Sequence, residues 1–209
     1  MKTLPSETSI REFLAAIASA EEAHGAVSAA AVAGGIGVSL LAMVAALPKT
    51  RSDSAADRAE LMNAATALND VQEQFIETIE TETAVKVFAA RNMPQASDAQ
   101  RADRQAAIQI ALRAAADVPL EVMRLAARGL KFAETVAEHG ARAASADVHL
   151  GVALLHAAFS GARANLEAKL SSLTDAPYIT SVVDELARLS EETTTAMRAV
   201  ESFLQVPPA

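Results

Sequence analysis

The chain has 209 residues, 51% of them hydrophobic but only 3% aromatic, with 18 Lys and Arg against 26 Asp and Glu for a net charge of −8. Fifty of the residues are alanine, and there is no tryptophan or cysteine. This composition excludes a β-sandwich or barrel, a disordered chain, a disulfide framework, a thiolate nucleophile and a duplex-binding basic face. Alanine is the best helix former and lets helices approach closely, so an all-α domain is expected.

The first predicted helix starts near Thr8-Ser9, where Ser9-x-x-Glu12 has capping-box spacing, and ends near Glu22. Its apolar stripe is Ile10, Phe13, Leu14 and Ile17. Residues Met1 to Glu7 have no apolar signal core. The run from Ala26 to Leu47 carries no charge and is long enough to span a bilayer. Its Ala, Gly and Ser content and its lack of an aromatic belt favour a buried helix of a soluble protein. This second helix, about Val27 to Leu47, is apolar all round and is stopped by Pro48, so it should be central. Gly34, Gly35 and Gly37 weaken it and imply a close neighbour, either another helix or a twofold mate.

A third helix, capped by Asp53 or Ser54, is expected to run to about Arg91. A fourth begins near Ser97-Asp98 and reaches Asp117. Val118-Pro119 predicts a kink or restart, followed by a fifth from Leu120 to His139 with Gly140 as its left-handed cap. A sixth starts at Ser145 or Asp147 and ends near Leu173, and a seventh covers Ile179 to Leu204. No repeat or composition shift divides the chain, so residues 1–209 read as one domain.

Taken residue by residue, the polar positions have ordinary explanations. Asp147 at a helix start reads as an N-cap. Asn165 shares its face five turns on, roughly 27 Å away, so the two can form one site only across an antiparallel dimer. Glu77, Glu80 and Glu82 read as a solvated acidic face. His24, His139, His149 and His156 show no ligand spacing, so no metal site is expected. Gly25-Ala26-Val27-Ser28 precedes a helix N-terminus, which serves either as a cap or as an anion site. Walker, dinucleotide and nucleophile-elbow motifs are absent.

Four stretches go further. Thr8 to Leu14; Ser28-Ala29-Ala30-Ala31 with Gly34, Gly37, Leu40 and Met43-Val44-Ala45; Arg104 to Leu120 with Asp117-Val118-Pro119-Leu120; and Ala137-Glu138-x-Gly140 with Asp147, Gly151-Val152-Ala153 and Asn165. In order and spacing they resemble the cyclodeaminase/cyclohydrolase family. That family comprises the cyclodeaminase half of formiminotransferase-cyclodeaminase and the stand-alone bacterial methenyltetrahydrofolate cyclohydrolases.

The resemblance implies a bundle of about seven helices in a close-packed cytoplasmic homodimer. Its active sites would lie near the dimer interface, the substrate would be a tetrahydrofolate derivative, and no metal, redox cofactor, nucleic acid or membrane would be involved. A chain of this length has no room for the formiminotransferase half, so the bifunctional enzyme is not expected; the resemblance implies methenyltetrahydrofolate cyclohydrolase activity, with formimino and methenyl substrates both left open by the sequence. The resemblance makes Glu80 the candidate acid/base and Asp147 the candidate orienter of water or pterin. Gly25, Ser28, Gly140 and Asn165 become candidate ligand-binding residues. Arg51 and Arg142, with Lys49, are the nearby cations for a glutamate tail.

Three motifs depart from the family pattern. His24-Gly25-Ala26-Val27-Ser28 stands for the family's Pro-Gly-Gly-Gly-Ser, Glu80 for its Asp, and Gly140-Ala141 for its Gly-Asn. These departures leave open a second expectation, a non-catalytic or repurposed paralogue that binds a folate-like ligand or a protein partner.

Overall fold

The structure, a computed structural model, describes residues 8–19, 26–52, 54–79 and 84–205. It contains seven α-helices: α1 (Ile10–Ala18), α2 (Ala26–Ala46), α3 (Ala55–Ile79), α4 (Ala84–Arg91), α5 (Asp98–His139), α6 (Ser145–Leu170) and α7 (Ala176–Leu204). Among the described residues the only β pairing is an isolated bridge between Thr50 and Gly140.

Local sequence sets most helix starts. Ser9 and Glu12 form the reciprocal capping box at α1, and Ser97 with Gln100 repeats it at α5. The Ser54 hydroxyl accepts from the Ala56 and Asp57 amides at 3.2 and 3.4 Å, so Ser54 caps α3, while Asp53 lies outside the described residues. Asp175 caps α7 with Pro177 in its first turn.

Four expectations change. α1 ends at Ala18 rather than near Glu22. The expected third helix is described as two, α3 ending at Ile79 and α4 starting at Ala84. Two expected helices are instead one, because α5 runs through Pro119 for 42 residues. The lost donor is tolerated because Ala116, Pro119, Leu120 and Met123 form one buried face. The segment is also held to α7: the Tyr178 hydroxyl donates to Asp117 Oδ1 at 2.7 Å, and Arg113 stacks over the Tyr178 ring. Finally, Gly140 is extended (φ −66°, ψ 158°), not left-handed. Glycine is needed there for space, since a Cβ would run into the Val136 carbonyl and sit 3.3 Å from Val44 Cγ1.

α2 is the central helix, packed against α6, α3 and α5. It is long and apolar enough to cross a membrane by length and composition, yet Ala31, Val38, Leu41, Val44 and Ala45 are fully buried inside the protein. Its glycines face neighbours of the same chain. A Cβ on Gly34 would strike the Phe75 ring of α3, and one on Gly37 would lie 2.8 Å from the Gly151 carbonyl oxygen of α6. Gly129 of α5 closes the same crossing, against Val38 and Leu155. Gly161 sits beside Ala30, whereas Gly140, just before α6, sits beside Val44. α2 and α6 are therefore antiparallel.

Candidate active site

That antiparallel arrangement sorts the candidate residues into two groups. Arg51, Gly140, Arg142 and Asp147 gather where α2 ends and α6 begins. Ser28, near the start of α2, and Asn165, four residues past Gly161, fall at the other end. The start of α2 therefore does not meet the Gly140–Asp147 segment within one chain. Gly25 and Glu80 lie outside the described residues.

The first group is assembled by backbone pairing. Thr50 pairs with Gly140, and the Arg51 amide donates to the His139 carbonyl at 2.9 Å. This bridge pins the link after α2 to the end of α5. The Arg51 side chain then reaches α7, where it donates to the Phe203 carbonyl at 3.4 Å. A cation suits that position, because the last carbonyls of a helix carry partial negative charge. The Arg51 Nε and Thr50 Oγ1 are both buried without a hydrogen-bond partner among the described residues. Burial foremost, and then the neighbouring charge of Arg142, push the pKa of Arg51 down, with Glu138 opposing. Arginine stays charged at such a site. An anion bound beside Arg51 would offset its lost solvation.

His139 forms the rim. Its Nδ1 lies 3.4 Å from Asp57 Oδ2, and its Nε2 lies 3.1 Å from Glu60 Oε2 and 3.8 Å from Glu138 Oε2. The imidazole thus ties the first turns of α3 to the last turn of α5. Its spacing in sequence showed none of this; its place beside Gly140 was the one available signal. Among the described residues no group of three His, Asp or Glu side chains is arranged to hold a metal ion.

Asp147 is the third residue of α6, behind a 3-10 turn at Arg142–Ala144, and the N-cap is Ala144 with no side-chain bond. The N-cap reading of Asp147 is therefore replaced by a first-turn carboxylate favoured by the helix dipole. It is half-buried and makes no hydrogen bond or ion pair among the described residues. An acceptor of that kind, in the first turn of the helix that follows Arg142, is equipped to orient a water or a polar ring.

Between the two groups runs an apolar face. Ile36, Leu40, Met43 and Leu47 recur at i, i+4, i+7 and i+11 along α2. Ile36 is 51% exposed, Met43 46% and Leu150 of α6 52%, so the described chain leaves the middle of this face open, while Leu47 packs partly against the core.

Residues 9–188 match the family model described as formiminotransferase-cyclodeaminase. A methenyltetrahydrofolate cyclohydrolase of Methylorubrum extorquens is 30% identical over 186 residues, covering 88% of this chain and 89% of that protein. A formimidoyltransferase-cyclodeaminase of Gallus gallus is 24% identical over 195 residues, 92% of this chain but 36% of that longer protein. The fold is also that of the formiminotetrahydrofolate cyclodeaminase crystal structure from Thermotoga maritima. The TM-score is 0.84 at 21% identity, covering 95% of this chain and 96% of that one. With the family model matched along most of its length, the chain belongs to the formiminotransferase-cyclodeaminase family.

Proposed function

We propose that this protein is a methenyltetrahydrofolate cyclohydrolase, an enzyme that opens the methenyl bridge of the folate to give 10-formyltetrahydrofolate. The observation that carries this reading is the 30% identity to a cyclohydrolase across nearly the whole of both chains. The paired Arg51 and Arg142 support it, as an anchor for the negative glutamate tail.

The methenyl carbon is already an electrophilic amidinium, so neither a metal nor a redox cofactor is needed. Water adds to that carbon and gives up a proton. The C–N5 bond then breaks, N5 takes a proton, and the formyl group stays on N10. Asp147 orients the water or the pterin, and Glu80 accepts and returns the proton. The reaction suits a cytoplasmic enzyme.

The working unit is a homodimer. Gly34 and Gly37 are already occupied within the chain, so the mate docks on the Ile36–Leu40–Met43–Leu47 face. An antiparallel α2 pair brings Ser28 and Asn165 of one copy beside Arg51, Gly140 and Asp147 of the other, completing two sites.

The test is the decay of methenyltetrahydrofolate absorbance on adding purified protein. An active enzyme loses about 10²–10⁴-fold of its turnover with Glu80→Gln, and loses both binding and turnover with Asp147→Asn. The replaced glycine loop at His24 to Val27 favours the second reading. Binding of methenyltetrahydrofolate without faster hydrolysis would establish the non-catalytic paralogue instead.

A further inference from the structure

α7 leans on α5 and touches α6 lightly, so a groove of about 420 Å³ opens between the outer faces of α6 and α7. Arg163 and Glu167 of α6 line it, opposite Ser190, Thr193 and Thr194 of α7. None of these residues takes part in the folate site described above.

The groove's polar groups have a definite hydrogen-bonding sense. Ser190 Oγ donates to the Leu186 carbonyl at 2.7 Å, and Thr194 Oγ1 donates to the Ser190 carbonyl at 2.8 Å. Both hydroxyls are thereby left with lone pairs only. Arg163 Nε holds Glu167 Oε1 at 2.9 Å, while the two terminal guanidinium nitrogens and Glu167 Oε2 have no partner among the described residues. Thr193 is 4% exposed, and its hydroxyl has no hydrogen-bond partner among the described residues.

We propose that this groove binds a small zwitterionic amino-carboxylate, such as a free α-amino acid. The terminal nitrogens of Arg163 take the carboxylate. The free oxygen of Glu167 and the lone pairs of Ser190 and Thr194 take the ammonium group. A simple anion would meet Glu167 and two acceptor-only hydroxyls, and a simple cation would meet Arg163. A ligand with both signs a few ångströms apart matches Arg163 on one side and Glu167, Ser190 and Thr194 on the other.

The probes are L-alanine, propionate, which lacks the ammonium group, and ethylamine, which lacks the carboxylate. Each is titrated into the ¹⁵N-labelled protein and followed by backbone amide shifts. L-Alanine should give saturable shifts confined to residues 156–167 and 190–197, at least about tenfold tighter than either half-ligand. Arg163→Gln, at an exposed position, should abolish the shifts while circular dichroism and folate turnover stay at the wild-type level. The proposal is overturned if L-alanine gives no saturable shift up to about 10 mM. It is equally overturned if propionate or ethylamine matches L-alanine, or if the response survives Arg163→Gln.

Discussion

Two glycines two residues apart on α2 should respond in opposite directions to the same added methyl group. At Gly37 the new Cβ would lie 2.8 Å from the Gly151 carbonyl oxygen and 3.1 Å from Leu155 Cγ. The first distance is about 0.6 Å inside ordinary contact, and the atom it meets is backbone of a packed helix. α2 and α6 must move apart, at a typical overpacking cost of about 1–3 kcal/mol. Alanine returns about 1 kcal/mol of helix propensity, so the net loss is up to about 2 kcal/mol. At Gly35 the nearest atom is Phe75 Cβ at 3.8 Å, an ordinary contact, and the propensity gain stands almost alone. One kcal/mol moves the melting temperature of a chain this size by about 2–4 °C. Calorimetry should therefore put Gly37→Ala below the wild type and Gly35→Ala above it, separated by at least about 3 °C. Should Gly37→Ala prove as stabilising as Gly35→Ala, the tight backbone crossing of α2 and α6 is wrong, and with it the reason glycine stands there.

Arg142→Ala should raise the KM for methenyltetrahydrofolate by about tenfold or more with little change in kcat, the loss of one charge-assisted contact at about 1.5–3 kcal/mol; an unchanged KM removes Arg142 from the tail site. Ile36→Glu places a charge at the centre of the exposed α2 face, and light scattering should then report half the wild-type mass, with turnover lost in parallel. Glu185 is 24% exposed, and hydrogen bonding from Arg124 holds its carboxyl below the ordinary 4.5, against the opposing effect of burial. Because the folded value is lowered, its contribution is complete above the unfolded value and disappears as the pH falls through the folded one. Glu185→Gln should therefore cost up to about 1 kcal/mol at pH 7, after screening at the more exposed Arg124, with the difference vanishing in acid urea melts.

Much of this fold is written locally. The Ser9-x-x-Glu12 box, Pro48 after α2 and the uncharged run of Ala26 to Leu47 each act over one or two helical turns, so the helices and the central place of α2 were legible from residue type and period alone. The family was legible because four stretches keep its motifs in order and spacing along the chain. Helix continuity at Pro119 was not legible, because it depends on α7, which lies about sixty residues away in sequence and supplies the Tyr178 contact. At Gly140 the left-handed cap expected from the sequence gives way to an extended residue, where a Cβ would meet the Val136 carbonyl one turn back and, less closely, Val44 from another helix. The site divides in the same way. Periodicity places Asp147 and Asn165 on one face of one helix, but only the antiparallel crossing at Gly37 and Gly151 decides which end of α2 each one meets. Arg51 and Arg142, ninety-one positions apart, come together because a bridge between Thr50 and Gly140 ties two loops whose pairing is encoded in neither loop alone. Propensity and capping are properties of a few neighbouring residues, whereas the meeting of these charges is a property of how whole helices pack.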